Sequence, residues 1–135
     1  MADAGVSVLI VDDQRPFRLA ADAVVRATPG FEVVGEAASG ESAVEQVDAL
    51  DPGLVLMDIN MEGIGGIEAT RRITAAHPGT RVVLLSTYDA DDLPADARTC
   101  GAIAYVHKED FGPDELVRVW PDGAPDGGRW SDLRS

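Results

Sequence analysis

Five short runs of mostly aliphatic residues, Val6–Val11, Phe31–Val34, Leu54–Met57, Arg81–Leu85 and Ile103–Val106, recur along the chain with amphipathic segments between them. None shows the strict alternation of a strand with one wet face. They read instead as strands covered on both sides, as in a parallel sheet. The intervening segments carry helix signals. Pro16–Ala27 spaces Phe17, Leu19, Ala20, Ala23 and Val24 at helical intervals and stops at Pro29 and Gly30. Ser42–Leu50 and Gly66–Ala76 are bounded in the same way, the first by Asp51 and Pro52, the second by His77, Pro78 and Gly79. A fourth helix is expected to start at a cap on Asp91 or Asp92, with Pro94 in its first turn and Leu93, Ala97 and Cys100 on one face. A fifth runs from near Pro113 through Leu116 to Trp120. Residues 121–135, rich in Gly and Pro, are expected to form a flexible tail.

Regular alternation of strand and helix in 135 residues implies one α/β domain over residues 1–120, built on a doubly wound, five-stranded parallel sheet. Right-handed crossovers leave few strand orders, of which 2-1-3-4-5 is the expected one. Ligands of such sheets bind beyond the carboxyl ends of the strands, where the winding reverses, here between strands one and three.

Charge and cysteine usage narrow the function further. With 24 acidic and 11 basic residues the formal net charge is -13, which opposes nucleic-acid backbones and anionic membranes at long range. The single cysteine, Cys100, has no internal disulfide partner, and no signal-peptide pattern opens the chain, so a cytoplasmic location is expected. No apolar run approaches the ~20 residues of a membrane helix.

Four of the five strands lead into groups able to do chemistry: Asp12 and Asp13 after Val11, Asp58 after Met57, Ser86 and Thr87 after Leu85, and Lys108 after His107. Each alone has an ordinary structural explanation, since Asp and Ser open loops and cap helices. Together, three carboxylates on the strands flanking the reversal, with a hydroxyl and an ammonium on the next two, are not explained as caps. Close carboxylates repel one another, and a hard divalent cation with oxygen ligands relieves that repulsion. Mg²⁺ suits the pattern because it takes few carboxylates and leaves room for waters and phosphate oxygens. A carboxylate nucleophile, Mg²⁺, a lysine and a hydroxyl equip a site for phosphoryl transfer, with Asp58 as the natural acceptor.

The runs Val8–Gln14, Val55–Met61, Gly66–Ala69, Leu85–Tyr88 and Gly101–Lys108, in order and correctly spaced, resemble a response-regulator receiver domain of two-component signalling, closest in flavour to the NarL/FixJ branch. The resemblance covers about Val6 to Phe111. It implies a flavodoxin-like fold and a stand-alone signalling phosphoacceptor, not a classical enzyme, that promotes its own phosphorylation and dephosphorylation. A histidine kinase or phosphotransfer protein would supply the phosphoryl group, and a downstream protein would read the result. Position by position, Asp58 would be phosphorylated; Asp13, Asp58 and the backbone carbonyl of Asn60 would ligate Mg²⁺ directly, and Asp12 mostly through water. Ser86, chosen over Thr87 on its spacing to Lys108, would hydrogen-bond one phosphoryl oxygen and Lys108 would pair with another. Tyr105 would be the aromatic switch on the fifth strand, altering the face of helix four, strand five and helix five. Asn60 and Tyr88 would flank the path of the hydrolytic water, with Tyr88 obstructing it.

Departures from the family pattern are local. Glu62 and Gly65 stand where Pro and Asp are common, which predicts a mobile, glycine-rich loop at 63–66, and Glu109 stands where proline often follows the lysine. His107 reads as a packed strand residue, His77 as a helix C-terminal residue, Cys100 as core, and Asp89, Asp91 and Asp92 as capping and solvating groups. Two other functions fit parts of the pattern. A small-molecule phosphatase using an aspartyl-phosphate would need a substrate pocket, and no inserted segment is present to form one. A phosphorylation-independent interaction module would have no need of the intact set Asp12, Asp13, Asp58, Ser86 and Lys108.

Overall fold

A computed structural model describes residues 5–89 and 92–120. The expected tail at 121–135 and any cap from Asp91 lie outside these residues. The elements follow in the order β1 (Val6–Val11), α1 (Arg15–Arg26), β2 (Phe31–Ala37), α2 (Gly40–Leu50), β3 (Leu54–Asp58), α3 (Gly65–Ala76), β4 (Arg81–Ser86), β5 (Ala104–His107) and α4 (Pro113–Val119). The strands form one parallel sheet in the expected order β2-β1-β3-β4-β5.

The two-residue period of a strand sorts the aliphatic side chains into two clusters, one on each face. Leu9, Val11, Val55, Met57, Val82, Leu84 and Tyr105 face one way and pack with Ala43 and Val47 of α2 and Ala69 and Ile73 of α3. Val8, Ile10, Leu54, Leu56, Val83, Leu85 and Val106 face the other way, against Ala21 and Val25 of α1 and Leu116 and Val119 of α4. Both faces are covered, so the central strands need no polar alternation. Trp120 packs edge-on to Phe31, with the Arg81 guanidinium 4.6 Å from its ring centroid.

Between β4 and β5 the structure differs from expectation. Among the described residues of this segment there is no fourth α-helix, and Ala95–Arg98 form a short 3-10 turn. Pro94 is extended (φ -57°, ψ 148°) and precedes this turn instead of opening an α-helix, and it has no N–H to give a helical ladder. Gly101, at φ +106°, then reverses the chain into β5. Ala97 and Cys100 are nonetheless buried with Leu93 packed beside them, so the apolar spacing is satisfied by a shorter turn. The elements of the expected output face are therefore this turn, β5 and α4. Among the described residues no helix is long and apolar enough to cross a membrane.

Candidate functional site

The winding reverses at β1, which pairs with β2 on one side and β3 on the other, and the acidic residues stand at the carboxyl ends of β1 and β3. Asp12 is fully buried and Asp58 is 3% exposed, whereas Asp13 is exposed. Carboxylate oxygens of all three lie within 4.8 Å of one another. Asp12 Oδ1 accepts the Gln14 N–H at 2.8 Å, and the Asp12 carbonyl accepts from Arg18 Nη1 at 2.7 Å. Asp58 Oδ1 accepts the Asn60 N–H at 3.3 Å.

Lys108, just past β5, reaches back across the sheet edge. Its Nζ lies 2.6 Å from Asp12 Oδ2 and 3.4 Å from Asp58 Oδ1. The ammonium meets Asp12 Oδ2 as an ion pair, yet that buried oxygen accepts no directed hydrogen bond; the approach is too oblique for one. An anionic oxygen left in this state, beside two further carboxylates, fits a hard divalent cation that takes oxygen ligands. Asp12, Asp13 and Asp58 are the residues that could hold such a metal.

Burial first, and the neighbouring Asp12 charge second, push the Asp58 carboxyl up from 3.8 to about 6 against the opposing pull of Lys108 and the Asn60 N–H. Asp58 also lines an open cleft of about 290 Å³ together with Gln14, Asn60, Thr87 and Lys108. Asp13 lines an adjoining depression with Ile59, Asn60, Met61 and Glu62.

The two hydroxyls after β4 are placed differently. Thr87 is exposed and borders the cleft. Ser86 is 1% exposed, and its Oγ accepts the Tyr88 N–H at 3.0 Å, which leaves its own O–H free to donate. Tyr105 is buried on β5, and its hydroxyl donates to the backbone carbonyls of Ser86, at 3.2 Å, and Tyr88. Burial pushes this phenol up to about 12, so it stays protonated. The side chain of Tyr88 itself is exposed.

The loop after Asp58 combines glycines at positive φ with one side-chain hydrogen bond from α2. Gly63 and Gly65 have φ +84° and +76°, a region open to glycine at little cost. A Cβ on Gly66 would sit 2.0 Å from the carbonyl oxygen of Asp58, so only glycine lets α3 start this close to β3. Glu41, in the first turn of α2, accepts the Ile64 N–H at 3.2 Å and so links this loop to α2. Glu41 and Phe17, whose ring lies 4.6 Å from Lys108 Nζ, are site residues that sequence reasoning missed. Phe17 stands four residues after Asp13 in the first turn of α1, and that spacing was the available signal.

His107 ends β5, and its Nδ1 accepts the Glu109 N–H at 3.1 Å. His77 caps α3 and places Nε2 2.6 Å from Asp48 Oδ1. Neither belongs to the acidic cluster.

Residues 8–120 match the response regulator receiver domain. The chain is 36% identical over 114 residues to the transcriptional regulatory protein DegU of Brevibacillus brevis, an overlap of 84% of this chain and 48% of that protein. It is 38% identical over 103 residues to the response regulator GacA of Pseudomonas viridiflava, covering 76% of this chain and 48% of GacA. The chain thus spans about half the length of these curated relatives. A two-component response regulator of the LuxR family from Aurantimonas sp. SI85-9A1 superposes with a TM-score of 0.77 at 31% identity, covering 85% of this chain and 81% of that one. The strand order, the strand-end carboxylates with Lys108, and these matches lead to one conclusion: the chain belongs to the receiver-domain family of response regulators.

Proposed function

We propose that Asp58 accepts a phosphoryl group in a Mg²⁺-dependent reaction and that the phosphorylated chain changes which protein it binds. The observation that carries this reading is the Lys108 ammonium lying within 3.4 Å of carboxylate oxygens on both Asp12 and Asp58, at the edge of an open cleft. Asp58 supplies the attacking oxygen, and Lys108 receives one oxygen of the transferred group. Asp12, Asp13, Asp58 and the backbone carbonyl of Asn60 would hold Mg²⁺, which supplies neutralising charge to phosphoryl oxygens. The donor is a histidine kinase, a phosphotransfer protein or a small acyl phosphate. The partner read by the switched face is a protein. Charge -13 opposes DNA and anionic membranes as partners of this chain, and the setting is the cytoplasm.

Ser86 supplies the hydroxyl that meets the phosphoryl group, and Tyr105 links that event to β5 through the Ser86 and Tyr88 carbonyls. A second reading gives Thr87 the phosphoryl contact, because Thr87 and not Ser86 borders the cleft. Ser86→Ala and Thr87→Ala separate the two by which one slows phosphorylation. Tyr88 and Asn60 flank the approach of water, so Tyr88→Ala is expected to shorten the phosphoryl lifetime. The function itself is tested by incubation with acetyl phosphate and Mg²⁺ followed by intact-mass measurement. One phosphoryl group per chain is expected, and none when Mg²⁺ is chelated.

A further inference from the structure

We infer that Phe17 is a positioning residue whose ring face holds the Lys108 ammonium where it spans Asp12 and Asp58. The contact stands on geometry alone; its consequence for phosphoryl transfer rests on the function proposed for Asp58.

Lysine carries a compact charge on a flexible four-carbon stem, and nothing intrinsic to it selects a site between two carboxylates. Here Nζ is 2.6 Å from Asp12, 3.4 Å from Asp58 and 4.6 Å from the centroid of the Phe17 ring. An aromatic face is the negative pole of the ring quadrupole and attracts a cation, more strongly where water is excluded. Exclusion is substantial, since the Lys108 side chain is only 15% exposed.

A second ring packs against it. Phe111, three residues beyond Lys108, packs against Phe17 with centroids 6.3 Å apart and planes at 47°. Lys108–Asp110 form a 3-10 turn, so the ammonium and the second ring come from one short segment that closes on α1. Leucine would fill much of the same apolar space but would offer no negative face. Packing alone therefore does not account for a ring set against the ammonium.

Two measurements test this. In a double-mutant cycle of urea unfolding, Phe17→Leu and Lys108→Met should be non-additive by about 2- to 5-fold in the unfolding equilibrium constant. Additive effects would overturn the contact. Second, Phe17 is replaced by mono-, di- and trifluorophenylalanine, which withdraw electron density from the ring face with little change of shape. Acetyl phosphate should label Asp58 progressively more slowly along this series, approaching a rate for Phe17→Leu about 3- to 10-fold below wild type. A flat series in protein that does take up phosphate would overturn the positioning role, since packing alone predicts a flat series. If wild type takes up no phosphate, the function proposed for Asp58 fails, and the cycle still decides whether the ring holds Lys108.

Discussion

Lys108 sits closer to Asp12 than to the acidic group it is proposed to serve: Nζ is 2.6 Å from Asp12 Oδ2 and 3.4 Å from Asp58 Oδ1. The ammonium is therefore shared unequally. Asp58 feels the full charge of its carboxylate neighbour and only part of the compensating lysine, on top of its own burial. Asp12→Asn removes that neighbouring charge and frees Lys108 toward Asp58. Carboxyl ¹³C titration of the metal-free variant is expected to place Asp58 below the wild-type value of about 6 but still above 3.8, because burial, the largest cause, remains. An unchanged midpoint would mean that Asp12 does not set the field at Asp58.

A carboxyl raised from 3.8 to about 6 makes stability depend on pH in the direction opposite to that of most aspartates. The folded chain holds a proton at Asp58 that the unfolded chain has already released. Stability contributed by this group is thus present below about pH 4 and lost as pH rises through about 6. The displacement corresponds to an upper bound of ~3 kcal/mol, which screening across the open cleft reduces to about 1–2 kcal/mol. Metal-free Asp58→Asn should be more stable than wild type by that amount at pH 7.5 and equal to it near pH 4, by urea midpoints. The apparent affinity for Mg²⁺ should also weaken in wild type below about pH 6, as protons compete for the same oxygen.

Glu41 is expected to govern the loop after Asp58 through a single hydrogen bond to Ile64. Gln can accept the same N–H and Ala cannot. Glu41→Ala should speed amide exchange at residues 62–65 and weaken Mg²⁺ binding by about 3- to 10-fold, a loss of ~1 kcal/mol of loop ordering. Glu41→Gln should restore most of both. Equal defects in the two variants would show that charge, not the hydrogen bond, matters at this position.

The Tyr105 hydroxyl ties β5 to the backbone that follows β4. Tyr105→Phe leaves two carbonyls without their donor and should cost about 1–2 kcal/mol in unfolding free energy. Faster amide exchange should be confined to residues 86–89. A loss of protection spread over the whole sheet would instead mark Tyr105 as a packing residue alone.

The strand-end aspartates and Lys108 were legible in the sequence because each follows an apolar run that can only be a buried strand, and a parallel sheet brings such ends to one edge. The segment after β4 was not. Its apolar spacing suits a helix, but the extended backbone of Pro94 breaks the ladder, and Ala95–Arg98 form a 3-10 turn. Phe17 and Glu41 were not legible for a related reason: both lie in the first turns of helices, and which way such a turn faces is decided by packing against the sheet. The link from Glu41 to Ile64, 23 positions apart, has no local signature in the sequence.

Where the phosphoryl group goes tests the central claim most directly. Wild-type protein is labelled with acetyl phosphate and Mg²⁺, reduced with borohydride to convert an aspartyl phosphate to homoserine, digested and sequenced by mass spectrometry. The expected product is homoserine at position 58 and nowhere else, absent in Asp58→Asn and much reduced in Lys108→Met. Homoserine at position 12 or 13, or undiminished labelling in Asp58→Asn, would contradict the assignment of Asp58 as the acceptor.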